Sequence, residues 1–110
     1  MDNRKDDKYY LEKIISDLAF VIAQTKGKTK DEIKDNELLV DSVMFRIIQI
    51  SEYNSRLSPE FKERYPEIPW TAIKGMRNRI VHDYGQVNMT IVYDTVSNWM
   101  PQMYEKLIRI

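Results

Sequence analysis

The residues best suited to chemistry lie in one stretch, Trp70–Gly85, which reads WTAIKGMRNRIVHDYG. From Thr71 to Val81 it carries Lys74, Arg77 and Arg79 and no acidic side chain. The whole chain has 17 basic and 17 acidic residues and a formal net charge of zero, so this is a local positive site. Guanidinium and ammonium groups gathered in this way suit a phosphate. The one histidine of the chain, His82, follows directly. An imidazole titrates near neutrality and is the natural proton carrier for general acid/base work.

Arg77 and His82 are five positions apart. On a continuous helix that separation is about 500°, or roughly 140° around the axis, and the two side chains would diverge. They converge only if the helix ends near Val81 and the chain turns, and Gly85 supplies a turn. His82 is then expected at a helix end, where its pKa is easily tuned.

Composition bounds the rest. A chain of 110 residues fits a single domain over 1–110. Hydrophobic residues at 43% and charged residues at 31% describe a globular chain. Three glycines and four prolines are too few for a many-turned β sandwich or barrel. The absence of cysteine excludes disulfides and thiol chemistry, and a single histidine excludes a multi-histidine metal site within one chain. No stretch approaches the roughly 18–20 apolar residues of a membrane span. The opening residues MDNRKDDKYY lack the apolar core of a signal peptide, so a cytoplasmic protein without membrane contact is expected.

The elements that must position the basic stretch read as helices. Leu11, Ile14, Ile15, Leu18 and Ile22 share one face of a helix over about 7–25, closed by Gly27. Thr29 and Glu32 have capping-box spacing and open a short turn. A long helix is expected over about 36–57, with a stripe of Leu39, Val43, Ile47 and Ile50 that Phe45 and Ile48 widen. Ser58-Pro59 opens a short helix through Arg64. Pro69 starts a helix over about 70–81, and Asn88 caps a last helix that Pro101 kinks or restarts. Ile91, Val92 and Tyr93 read equally as a short strand. Four main helices with short connections make an antiparallel bundle.

Arg77-x4-His82-x-Tyr84 resembles the Arg-x4-6-His signature of the HEPN superfamily, in the form typical of HepT-like toxin ribonucleases. Trp70, Ile73, Gly75, Met76, Asn78 and Val81 stand where the longer W-x2-I-x-G-M-R-N-x2-V-H-D-Y run of that family puts them. A weaker likeness lies in the long helix, where Arg46–Glu52 resembles a family segment running from an arginine to Gly-Glu; Ser51 replaces that glycine. The specific match covers about sixteen residues, and the helical layout covers nearly the whole chain. The resemblance implies an all-α bundle of four to five helices, homodimeric, that cleaves RNA with neither metal nor cofactor. It assigns Arg77 and His82 as the catalytic pair and Asn78 as the polar residue beside them. It marks Tyr84 as a tyrosine that accepts AMP from a partner nucleotidyltransferase of the MNT type, the antitoxin, with which the dimer can assemble further.

That chemistry suits these residues. Metal-free RNA cleavage needs a base for the 2′-hydroxyl proton, an acid for the leaving oxygen and a cation for the charge developing on phosphorus. One chain offers one histidine; a two-fold dimer that joins two copies of His82 and Arg77 offers both proton carriers. AMP on Tyr84 would compete with RNA phosphate for the same guanidinium groups.

Bland readings stand beside these. Asn78 is equally helix-surface filler. Lys74, three residues before Arg77, either extends the phosphate contact or is a solvated charge, as is Arg79. Arg46 and Glu52 either brace the site as a buried pair or lie exposed, and their spacing of six is poor for a helical pair. Trp70 and Trp99 are expected in the core. Tyr9 and Tyr10 belong to the bundle or dimer surface. Lys26, Lys28 and Lys30 form a solvated loop or touch RNA phosphates. The alternative function is a non-catalytic helical partner or substrate-binding subunit of a minimal nucleotidyltransferase.

Overall fold

A computed structural model describes residues 6–81 and 86–110. Seven α-helices account for most of them: α1 (Asp7–Thr25), α2 (Lys30–Lys34), α3 (Glu37–Arg56), α4 (Pro59–Arg64), α5 (Trp70–Ile80), α6 (Met89–Asp94) and α7 (Met100–Leu107). A π-helical turn, Thr95–Trp99, joins α6 to α7, so the last three segments form one long rod. The fold is all-α, and the described residues contain no β-strand. Ile91, Val92 and Tyr93, readable as a strand, are helical.

Local chemistry sets the helix starts. Asp6, Thr29, Asn36, Ser58 and Asn88 each cap a helix by accepting a backbone N–H three residues on. At α2 the box is reciprocal: Glu32 Oε1 accepts from Thr29 N at 2.7 Å, and Thr29 Oγ1 accepts from Glu32 N at 3.1 Å. These bonds, with Lys28 nearby, hold the Glu32 carboxyl below its ordinary range. Gly27 takes φ of 75° after α1, a left-handed conformation that other residues adopt only at a cost. Pro101 has no N–H to give back to Ser97, and the rod accommodates it with the π turn, in which Met100 N reaches Thr95 O. The kink or restart expected at Pro101 takes this form.

The long helices run antiparallel. Asp7 bonds Ser58, Tyr10 stacks near Tyr53 and Asp17 pairs with Arg46, which sets α1 against α3. Asn54 Nδ2 donates to Trp70 O at 3.0 Å and Ser51 Oγ to Lys74 O at 3.1 Å, which sets α5 against α3. The core gathers Ile14, Leu18, Val21, Val43, Ile47, Ile50, Ile73, Met76, Ile80, Val92 and Met100, all almost fully buried. Trp70 joins it, with Nε1 donating to Lys62 O and Tyr65 O, while Trp99 is partly buried at the edge. No described helix is long and apolar enough to cross a membrane.

One sequence expectation fails here. Phe45 and Ile48 do not widen the buried stripe of α3. They are 59% and 42% exposed, and with Leu38 at 84% they form an uncovered apolar face. Leu38, Asp41, Phe45, Ile48 and Glu52 follow one another at steps of three and four, along the side of α3 opposite the core. The bundle lies on one side of α3 only.

Candidate active site

Helix α5 carries the basic side chains. Its buried face, Trp70, Ile73, Met76 and Ile80, locks it to the core, and Lys74, Arg77, Asn78 and Arg79 stay exposed. Two bonds fix its position along α3. Asn54 is buried and satisfies the first-turn carbonyl of Trp70; Ser51 reaches the carbonyl of Lys74. Sequence reasoning missed Asn54 as a positioning residue, since nothing marks which polar side chain of a helix will meet a carbonyl sixteen residues away. Ser51, noted only as a departure from glycine, is a second anchor.

The Arg77 guanidinium leans on its neighbour: Nη1 donates to Asn78 Oδ1 at 3.3 Å. Among the described residues no carboxylate pairs with it. Among the described residues Asn78 is thus the side chain that holds the Arg77 guanidinium. Lys74 is one turn back, and its charge together with burial lowers the pKa of Lys62, burial being the larger cause.

α5 ends at Ile80, as convergence of Arg77 with its histidine requires. Val81 is extended, at φ −95° and ψ 122°, and pairs antiparallel with Val87. Asn88 N donates to Ile80 O at 2.8 Å. The chain therefore enters and leaves residues 82–85 in opposite directions, at the C-terminal end of α5. His82, Tyr84 and Gly85 themselves lie outside the described residues.

Arg46 and Glu52 do not form a pair. Arg46 Nη1 donates to Asp17 Oδ1 on α1 at 2.7 Å, and its guanidinium lies over the Phe20 ring at 3.9 Å. Gln49 Nε2 approaches the same oxygen at 3.4 Å. Glu52 is exposed on the outer side of α3. The reason is helical phase: six residues turn Glu52 away from Arg46, whereas Asp17 faces it across the α1–α3 seam. Arg46 is thus a brace of the bundle. Burial raises the Asp17 pKa and the Arg46 bond partly offsets it. Asp17 Oδ2 is buried with no hydrogen-bond partner among the described residues.

Arg46→Ala should destabilise the fold by roughly 2 kcal/mol, below the 3–5 kcal/mol of a fully buried pair because Arg46 keeps 28% of its side chain exposed. The loss should narrow on acidification. Without Arg46 the folded-state pKa of Asp17 rises further, so folding favours the protonated acid more as pH falls toward the ordinary carboxylate range. Chemical denaturation at pH 7 and pH 4.5 reads both effects. An equal deficit at the two values would contradict the assignment.

Among the described residues no three or more histidine, aspartate or glutamate side chains gather to hold a metal ion. Beside the Arg77 face, Asn78, Arg79, Thr90, Ile91 and Asp94 line an open groove of about 600 Å³ between α5 and α6. Arg79 and Asn78 present a cation and an amide there, beside the Asp94 carboxylate.

Known proteins resemble the chain over nearly its whole length. The family described as Ribonuclease HepT-like matches residues 11–110. A Methanocaldococcus jannaschii protein named "Gamma-glutamylcyclotransferase and putative RNase" is 33% identical over 97% of this chain, which spans only 48% of that longer relative. A Caldanaerobacter subterraneus subsp. tengcongensis protein named "Putative RNase" is 28% identical over 96% of this chain and 95% of its own length. One from Thermococcus cleftensis, named "Probable ribonuclease HepT", is 28% identical over 94% of this chain and 97% of its own length. No solved structure matches. With its helical bundle, its basic α5 and a match over nearly its whole length, the chain belongs to the HepT-like ribonuclease family.

Proposed function

We propose that this protein is a metal-independent endoribonuclease toxin, controlled by a nucleotidyltransferase antitoxin, and that two copies build its active site. The observation that carries the reading is the Arg77 guanidinium: exposed, oriented by Asn78 and free of carboxylates among the described residues. In the sequence it stands five residues before His82. In the reaction, one His82 takes the 2′-hydroxyl proton and the oxygen attacks phosphorus. Arg77 stabilises the charge that builds on the phosphoryl oxygens. The second His82 gives a proton to the departing 5′-oxygen. The products carry a 2′,3′-cyclic phosphate and a 5′-hydroxyl.

Three features support the dimer. A single chain has one histidine where the chemistry uses two proton carriers. The uncovered Leu38, Phe45 and Ile48 face is of the kind that associates. It also borders the site: Ser51 meets Lys74, so one turn further along both helices Ile48 is level with Arg77. A two-fold axis at Phe45 and Ile48 would bring both copies of Arg77 near it. Gly75 agrees with close approach at α5. A Cβ there meets nothing within 4 Å, so the monomer does not need this glycine. A mid-helix glycine nonetheless costs about 0.5–1 kcal/mol relative to alanine.

AMP transfer to Tyr84 would set a phosphate and a nucleotide two residues from His82, where they occupy the guanidinium groups that RNA needs. The test is intact mass of the protein, made with and without the nucleotidyltransferase, with RNA cleavage assayed on each form. Whole-AMP increments on Tyr84 and lost cleavage are expected in the first preparation, and cleavage in the second. A fully adenylylated sample that still cleaves would contradict the control mechanism. An unmodified protein that leaves every RNA intact would favour the non-catalytic partner reading.

A further inference from the structure

A second groove, of about 510 Å³, opens between the α1–α2 turn and the π-helical turn of the last rod. Its size is that of a small-ligand site. Ile22, Val96 and Pro101 give it an apolar floor, and the half-buried Tyr93 forms a wall. Lys26 and Lys28 stand at the rim. Residues 26–30 read KGKTK, three lysines in five residues with no carboxylate. Asp31 and Glu32 follow this run and Asp94 follows Tyr93; Glu32 accepts from Thr29 N and Asp94 from Asn98 Nδ2 at 2.9 Å, and the residues that line the groove include no carboxylate. Ser97, on the π turn, also lines the groove.

The groove is connected to the Arg77 face. Arg77 bonds Asn78, which lines the α5–α6 groove together with Thr90. Thr90 Oγ1 is held by Lys30 Nζ at 2.8 Å, across sixty residues of sequence. Lys30 follows directly on Lys28 and Thr29, which line the second groove. A track of cationic and amide donors, passing the Asp94 carboxylate, therefore runs from Arg77 over Asn78, Arg79 and Lys30 to Lys28 and Lys26.

We propose that the groove at Lys26, Lys28 and Tyr93 is a nucleotide subsite, which holds a base on the Tyr93 wall and its phosphate on the two lysines. The nucleotide is a distal unit of the single-stranded RNA whose scissile phosphate lies at Arg77. That source rests on the ribonuclease reading; a free mononucleotide has the same chemistry. An aromatic wall with a cationic rim is the common means of holding single-stranded nucleic acid without sequence readout.

The test is fluorescence anisotropy of a labelled 16-nucleotide RNA and a 3-nucleotide RNA over a salt series. The 2′-hydroxyls are methylated to prevent cleavage, and AMP binding is measured in parallel by ligand-observed saturation transfer. The pair K26E and K28E should weaken the 16-mer at least tenfold and flatten its log–log salt slope by about 0.7, the value for one phosphate contact on a single strand. Tyr93→Leu should weaken it about tenfold, with melting curves confirming that each variant is folded. The 3-mer, too short to reach from Arg77, should feel neither change as strongly. Affinity within twofold of the wild type and an unchanged slope would overturn the subsite, while cleavage by the wild type would leave the ribonuclease reading standing. AMP binding that Tyr93→Leu abolishes, in a protein that neither binds nor cleaves RNA, would keep the subsite for a free mononucleotide and refute the ribonuclease reading.

Discussion

Arg77→Ala should slow RNA cleavage by about 10²–10³-fold, the cost of removing one preorganised group that stabilises developing charge. His82→Ala removes the base of one copy and the acid of the other and should slow it by at least about 10²–10⁴-fold, the usual worth of one positioned proton carrier. Neither change should move the melting temperature by more than ordinary surface limits, about 0.5 kcal/mol in stability. For Arg77 the structure gives the reason: its guanidinium is exposed and bonds only the adjacent Asn78 among the described residues. Arg77→Lys separates charge from geometry. It keeps the cation but loses the planar fork, and should recover only part of the rate. Single-turnover cleavage of one RNA by the four proteins reads all of this. Full activity in either alanine variant would remove that residue from the chemistry, and a non-catalytic partner would tolerate both changes.

The second large effect is expected at the uncovered face of α3. Phe45→Glu combined with Ile48→Glu should convert a dimer to a monomer and abolish most cleavage. Both side chains are solvent-facing in the single chain, so folding of the monomer should survive. Light scattering coupled to gel filtration gives the mass, and the cleavage assay gives the rate. Mixed dimers extend the test. A His82→Ala subunit paired with a wild-type subunit keeps both arginines but only one of the two proton carriers. Re-equilibrated mixtures of the two proteins should therefore cleave more slowly than the wild-type protein they contain. A monomer that cleaves at the full rate would refute the composite site.

Sequence and structure agree where the determinants are local. Thr29, Ser58 and Asn88 cap the helices they were expected to cap, because an N-cap bond spans three residues and its partners are adjacent in the chain. The end of α5 at Ile80 was legible from the need to turn Arg77 and His82 toward each other. What was illegible is long-range. Helical periodicity marks Phe45 and Ile48 as apolar, but only the placement of α1 and α5 shows that nothing covers them. The Asp17–Arg46 pair joins residues 29 positions apart, and a neutral chain with 34 charges offers many other pairings. Pro101 announced a break, but not that a π turn would absorb it and leave a groove beside Tyr93. The basic run of α5 was visible at once, since its members share one helix; Asn54 and Ser51, which anchor that helix, lie on another.

The central claim, that the RNA's own 2′-hydroxyl is the nucleophile in a reaction needing no metal, has a direct test. Unmodified wild-type protein is incubated in excess EDTA with a single-stranded RNA, and with the same strand carrying one 2′-deoxynucleotide at the mapped cleavage position. The expected result is cleavage of the first, with 2′,3′-cyclic phosphate and 5′-hydroxyl ends, and an intact bond at the deoxy position of the second. Cleavage at the deoxy position, or activity that EDTA abolishes and a divalent cation restores, would contradict it.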